Sequence, residues 1–334
     1  PSTVAINQIL IKDIGKKDAN GTWTIVSEDE PRNIGTKVHK GRWAFHVKYH
    51  PDGSVKEFRA RWVMKGFTMM YGRDYDDTFI GAANVTSNRT LFAKAAALKL
   101  PIFDIDITAA FSTAQMDREL YVECPHGFGA KGKVCLMHKS LEGGKSSGAL
   151  YYKEQAHNMT EVLKLDRSAV DPNLYKKIYS NGSFIYINLY VDNLLILPSS
   201  TKVLDEFIAE YKKLYKITGG EEVKEFVGCV VERNAVTGEY KLHQKGHIER
   251  IWKKYLGPST KPRSSPIDTG AAAAKKFLSI KKAQTDAERT AMAGKDYLGL
   301  AGALRYVTDT TRPDVSYYLS FLAQFSHDPS PDAY

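Results

Sequence analysis

Phe184-Ile-Tyr-Ile-Asn-Leu-Tyr-Val-Asp-Asn-Leu-Leu-Ile-Leu197 is the stretch on which the reading of this chain turns. An apolar run leads into Asp192-Asn193 and a second apolar run leads out. The pattern predicts two buried strands joined by an acidic turn. A carboxylate withdrawn from water is costly unless it is partnered, and a metal ion is a common partner for one so placed.

A second strand carries more carboxylates. Ile102-Phe-Asp-Ile-Asp-Ile107 alternates, so Asp104 and Asp106 point to one face. Two strand-end carboxylates from distant parts of a sheet are how nucleotidyl transferases hold a pair of Mg²⁺ ions. On spacing alone a plainer reading stands beside this one. Asp106 then caps a following helix that begins near Phe111, and Asp192 is a turn residue of an Asp-Asn hairpin.

The 334 residues are 43% hydrophobic and 25% charged, which suits a folded chain of two or three lobes. The formal net charge of +9 suits a polyanionic partner, nucleic acid above all, or a solvated basic surface. No apolar run approaches the roughly 20 residues of a membrane span, so no membrane partner is expected. Three cysteines without a CxxC pair argue against a disulfide scaffold or zinc site. They favour a reducing, intracellular location, cytoplasmic or nuclear. Pro1-Ser-Thr-Val-Ala shows neither an initiator Met nor a signal peptide, so a fragment or processed product is expected.

Outward from the acidic hairpin, residues 1–20 carry little pattern. Thr22–Val26 and Trp43–Tyr49 read as strands, and Pro51-Asp52-Gly53 as the turn to a returning strand, Phe58–Met64. Helices are expected at 87–99 and 148–165, and Leu204, Phe207, Ile208, Tyr211 and Leu214 mark an amphipathic one behind the cap candidates Ser199, Ser200 and Thr201. Phe226–Val231 and Tyr240–Leu242 read as strands. A basic amphipathic helix spans 246–256, with Arg250, Lys253 and Lys254 off its apolar face and Gly257-Pro258 as its stop. Two further helices, about 288–307 and 313–326, close the chain.

The motifs occur in the order and spacing of a known family. Asn20-Gly-Thr-Trp-Thr-Ile-Val26, Trp43-Ala-Phe-His-Val-Lys48, Arg59-Ala-Arg-Trp-Val-Met-Lys-Gly-Phe-Thr68 and Asp74-Tyr-Asp-Asp-Thr-Phe79 come first. Asp106-Ile-Thr-Ala-Ala-Phe111, Glu119–Phe128, Lys139-Ser-Leu141, Asp171-Pro-Asn-Leu-Tyr175, Leu189-Tyr-Val-Asp192 and Thr311-Arg-Pro-Asp-Val315 follow. Over nearly its full length the chain resembles the reverse transcriptase of copia-type LTR retrotransposons.

That resemblance implies an α+β, right-hand polymerase fold with an antiparallel palm sheet. Fingers and palm would occupy 1–200, a thumb-like lobe with the basic helix 201–260, a linker 261–286, and a connection-like helical tail 287–334. It implies RNA-directed DNA polymerase activity by two-metal nucleotidyl transfer, with an RNA template, a DNA primer and dNTPs as partners. Asp106 and Asp192 would bind Mg²⁺, or Mn²⁺ in its place, with the backbone carbonyl of Ile107 as a further ligand. Arg61, with Lys48 and Lys65, would hold the triphosphate. Ala110 and Phe111 would line the sugar, the Phe111 ring excluding a 2′-hydroxyl by bulk. Arg250, Lys253 and Lys254 would track the nucleic-acid backbone.

Two departures stand out. Asn193 replaces the family's second Asp, an exchange that predicts impaired metal binding, and Asp104, about 7 Å along the strand, is a weak substitute for the missing charge. Leu141-Glu-Gly-Gly-Lys-Ser-Ser-Gly148 replaces the family's Leu-Tyr-Gly-Leu-Lys-Gln, with Ser146 too short for the Gln and two glycines that loosen the loop. These motivate an alternative: a catalytically silent, domesticated relative acting as a nucleic-acid-binding or structural component alongside other protein subunits.

Overall fold

The computed structural model describes residues 3–49, 55–256, 260, 265 and 270–334. The expected turn Pro51-Asp52-Gly53, the stop Gly257-Pro258 and the Lys48 side chain lie outside the described residues. The chain divides into two compact units, Pro1–Asn88 with Ile102–Glu221, and Arg89–Pro101 with Glu222–Tyr334.

The first unit is built on a six-stranded sheet ordered Ile217–Glu222, Phe103–Ile107, Asn193–Pro198, Phe184–Tyr190, Leu174–Ile178, Asp166–Arg167. Pairing runs antiparallel from Phe103–Ile107 to Asp166–Arg167. Leu194, Leu195, Ile196 and Leu197 are all fully buried. A strand covered on both faces has no polar side, so its sequence reads as one apolar run. Helix Thr201–Leu214 joins this core through Val203, Leu204, Phe207 and Tyr211, which share one helical face. Ser200 is its cap, accepting from the Val203 amide. Helix Ser147–His157 runs on through a π-turn at Asn158–Val162, and its Tyr151 enters the same core.

A second sheet in this unit has the order Trp23–Ser27, Lys133–Met137, Tyr121–Glu123, Val38–His39, with only the last pairing parallel. Its core includes Ile14, Trp23, Trp62, Met64, Leu120 and Met137. Trp62 and Met64 come from a separate two-stranded ribbon, Gly41–Tyr49 with Val55–Met64. Ile14 comes from helix Thr3–Ala19, where the sequence reading found little pattern. That helix buries Lys17 as well as Ile14, so its inward face is not uniformly apolar.

In the second unit a three-stranded sheet, Glu225–Phe226, Cys229–Arg233 and Tyr240–His243, packs Tyr240 edge-on against Phe92. Helices Lys245–Tyr255, Ala271–Leu278, Asp286–Met292, Tyr297–Thr310 and Ser316–Ala323 follow. Arg89 donates to the carbonyls of Asp309 and Thr310, satisfying acceptors left open at a helix end. Met292, Tyr297, Phe325 and Ala333 form a small core here.

Several expected elements are revised. The helix expected near Phe111 is one 3₁₀ turn, Ala110–Ser112, entered through left-handed Ala109. The run Phe226–Val231 is broken by Val227 and Gly228, both at positive φ. The tail helix at 288–307 is two helices, parted where Gly294 takes φ +80°. The expected linker contains helix Ala271–Leu278. The expected boundary at residue 200 differs from the division by packing at Glu221, because Thr201–Leu214 and Ile217–Glu222 belong to the first unit's core and sheet. No helix among the described residues is long and apolar enough to cross a membrane. The architecture is α+β with mainly antiparallel sheets, as expected.

Candidate active site

Strand Phe103–Ile107 buries Ile105 and Ile107 and leaves Asp104 and Asp106 half-buried on the opposite face. Its neighbour in the sheet is the strand leaving the acidic hairpin. Asn193 lies directly opposite Asp106, and Leu195 opposite Asp104. Tyr190 pairs with Asn193, so the turn consists of Val191 and Asp192. Asn193 is therefore the first residue of a strand, and the Asp-Asn turn considered from sequence is replaced by a Val-Asp one.

Val191 has φ +57°, left-handed backbone that costs an ordinary L-residue about 1–2 kcal/mol. Two hydrogen bonds grip this turn. The Ile107 amide donates to the Asp192 carbonyl at 2.8 Å, and the Tyr151 hydroxyl donates to the Val191 carbonyl at 3.0 Å. The Asn193 amide Nδ2 donates to Asp192 Oδ1 at 3.3 Å. Asp106, Ile107, Asp192 and Asn193 are thus gathered at the ends of two adjacent strands.

Asp104 lies opposite Leu195, one side-chain repeat along the strand from the Asp106–Asn193 pair. Burial, then the negative charges of Glu221 and Asp106, raise its pKa above the usual carboxylate value. Negative charge gathered beside a half-buried carboxylate suits a cation. Among the described residues no set of three or more His, Cys, Asp or Glu side chains forms a metal cage. Two carboxylates with only oxygen donors fit Mg²⁺, which commonly keeps waters and takes substrate phosphate oxygens as its remaining ligands.

Ala110 is buried and Phe111 half-buried, the Phe111 ring meeting Tyr151 edge-on with centroids 5.7 Å apart. Arg61 is exposed on the Gly41–Tyr49/Val55–Met64 ribbon, opposite Ala44. The period of two puts Arg42, His46, Arg59 and Arg61 on one face and Trp62 and Met64 on the other, and Lys65 follows the strand's end. Arg59 is tied to Glu57, whereas Arg61 makes no ion pair among the described residues. No hydrogen bond or ion pair joins Arg61 or Lys65 to the acidic turn among the described residues. Arg250 and Lys253 are exposed on helix Lys245–Tyr255 in the second unit. Lys254 is engaged there, hydrogen-bonded to Tyr255 at 2.7 Å and paired with Asp296 at 3.4 Å.

A family model described as reverse transcriptase (RNA-dependent DNA polymerase) matches residues 20–269. The chain belongs to the reverse transcriptase family. It is of the copia type expected from its motifs. It is 29% identical over 316 residues to the retrovirus-related Pol polyprotein from transposon TNT 1-94 of Nicotiana tabacum, covering 94% of this chain and 23% of that protein. It is 28% identical to the corresponding polyprotein from transposon RE1 of Arabidopsis thaliana, covering 96% of this chain and 21% of the relative. The chain therefore spans less than a quarter of the length of either polyprotein. Among solved structures, the foamy viral protease-reverse transcriptase in complex with double-stranded DNA is similar over 98% of this chain and 48% of that one, with 12% identity and a TM-score of 0.41.

In this member of the family the unusual 141–148 loop is tightly built, not loosened. Glu142 approaches the buried Lys17 ammonium at 3.7 Å and accepts from the Ser112 hydroxyl at 3.2 Å. The Glu142 carbonyl accepts from the Met64 amide at 2.8 Å. Gly143 takes φ +88°, and a Cβ on Gly66 would collide with the Gly143 carbonyl, so both positions need glycine. Ser146 and Ser147 are buried where the next helix begins. Sequence reasoning missed Lys17 and Tyr151. Neither has a local signal, because each acts on a residue far along the chain.

Proposed function

We propose that the chain is an RNA-directed DNA polymerase that extends a DNA primer on an RNA template using dNTPs. The observation that carries this reading is the meeting of Asp106, at a strand end, with the Val191-Asp192 turn. Asp106 and Asp192 would hold Mg²⁺, or Mn²⁺, with the Ile107 carbonyl as a neutral third oxygen. The bound metal supplies activation of the primer 3′-hydroxyl and neutralises charge on the triphosphate. The six-stranded sheet serves as palm, the basic ribbon as fingers, and the lobe carrying helix Lys245–Tyr255 as thumb. Arg61 binds phosphate oxygens through its planar fork. Phe111 orients the deoxyribose and excludes a 2′-hydroxyl. Arg250 and Lys253 bind backbone phosphates, and Lys254 does so only by giving up its bridge to Asp296. A reducing, intracellular location, cytoplasmic or nuclear, is the reading drawn from three cysteines without a CxxC pair in the sequence.

Primer extension on an RNA template with Mg²⁺ or Mn²⁺ tests this. The chain is expected to extend the primer, and Asp192→Asn to lower the rate by roughly 10³-fold or more. Template–primer binding without extension, in both the parent and Asn193→Asp, would overturn it.

A further inference from the structure

Val191 is an unexpected residue for its position. A two-residue hairpin turn with positive φ at its first central residue is ordinarily served by Gly, and Val is β-branched as well. The turn that aims Asp192 therefore depends on something outside itself. Its Val191 carbonyl accepts from Tyr151, which is 1% exposed.

Tyr151 is in turn fixed. The Gln155 side-chain amide donates to the Tyr151 oxygen at 3.0 Å, and the Tyr211 hydroxyl donates to the Gln155 carbonyl at 3.0 Å. Gln155 and Tyr211 are wholly buried. The order of donors has one direction. A backbone carbonyl can only accept, so Tyr151 must donate to it and accept from Gln155, whose oxygen is left for Tyr211. Burial raises the Tyr151 pKa far above the ordinary tyrosine value, which keeps the hydroxyl a donor. The chain of bonds ends on helix Thr201–Leu214, itself held in the sheet's core. The other part of Tyr151, its ring, meets Phe111 edge-on.

We propose that Tyr151 is a positioning residue that sets two parts of the site at once, the Asp192 turn through its hydroxyl and the Phe111 ring through its own ring. This rests on the reading of Asp106 and Asp192 as metal ligands. The two contacts are chemically separable. Tyr151→Phe deletes the hydroxyl and keeps the ring, whereas Tyr151→Leu deletes both.

The test is Mn²⁺ binding to the full chain by titration calorimetry, joined to primer extension with dNTPs against rNTPs. Tyr151→Phe is expected to weaken Mn²⁺ binding about ten-fold, the loss of one buried hydrogen bond, while leaving sugar discrimination within about two-fold. Tyr211→Phe, one step further away, should shift Mn²⁺ binding in the same direction by less. Tyr151→Leu should relax sugar discrimination as well, and if it fails to fold, the isosteric Tyr151→Phe still decides the role of the hydroxyl and the bulkier Tyr151→Met that of the ring. Mn²⁺ binding unchanged in Tyr151→Phe but lost in Asp192→Asn would overturn the role of Tyr151 and leave the metal reading standing. Absence of any Asp192-dependent Mn²⁺ binding in the parent would overturn both.

Discussion

Asn193 sits in register with Asp106, and its amide donates to Asp192, so one neutral side chain stands between two acids. An Asp at this position would remove that donor and add a third negative charge beside Asp104, whose ionisation is already disfavoured by burial and acidic neighbours. Without metal, Asn193→Asp is therefore expected to destabilise the fold by roughly 1 kcal/mol through like-charge repulsion. With Mg²⁺ the order should reverse, because a cation binds the richer set of carboxylates more tightly and stabilises the state that binds it. Thermal melts of both proteins in EDTA and in Mg²⁺ check this, and a loss that Mg²⁺ leaves untouched would place position 193 outside the metal site. Asp106 and Asp192 stood out in the sequence as candidates because each closes an apolar run, and the family motifs around them implied their roles. The left-handed Val191 and its Tyr151 tether did not, since a side-chain bond to a backbone carbonyl 40 positions away leaves no periodicity behind.

Elements are fastened by buried ionic groups as well as apolar cores. Lys17 of helix Thr3–Ala19 bonds Asp13 at 2.8 Å and the Trp62 carbonyl at 2.7 Å, and it approaches Glu142 at 3.7 Å. Asp13 also accepts from the Trp62 amide, so helix, ribbon and loop meet at one cation. Lys17→Met would strand two acids in a site where the lysine side chain is only 5% exposed, and should cost about 3–5 kcal/mol. Removing the exposed Arg305–Asp309 pair should cost about 0–1 kcal/mol. Urea denaturation of both variants measures the contrast. A second fastening titrates. Asp74 hydrogen-bonds Arg73 and the Met70 amide, and these hold its pKa at about 2 against an ordinary 3.8. A depressed carboxylate stabilises the fold above its unfolded pKa, so about 2 kcal/mol should drain away as pH falls from about 4 to 2. His39 beside it is lowered from 6.5, mainly by burial, and its stabilisation also falls with acidification, beginning near pH 6.5. In Asp74→Asn the loss between pH 4 and 2 should flatten, as read from denaturation midpoints. Strands with plain alternation, such as Gly41–Tyr49, could be read from sequence. Helix Thr3–Ala19 could not, because the face it buries carries a lysine whose partners lie in the ribbon and the loop.

At the scale of the molecule, charge makes the sharpest demand. The chain carries a net +9, with exposed Arg42 and Arg61 on the ribbon of the first unit and Arg250 and Lys253 on a helix of the second. A polymerase must bind two kinds of phosphate, those of the duplex and those of the incoming nucleotide, and these differ in their response to salt. Each duplex phosphate neutralised releases condensed counterions, so about five contacts predict a log–log slope near −4.5 and roughly a 10²–10³-fold loss of affinity between 50 and 200 mM salt. If helix Lys245–Tyr255 tracks the duplex, Arg250→Ala and Lys253→Ala should each make that slope shallower by about 1. If Arg61 instead grips the triphosphate, Arg61→Ala should leave the template–primer slope unchanged and raise KM for dNTP, with a smaller effect on kcat. Fluorescence anisotropy across a salt series, paired with steady-state extension kinetics, separates the two roles. A slope altered by Arg61→Ala with KM unchanged would move that residue from the nucleotide to the template–primer.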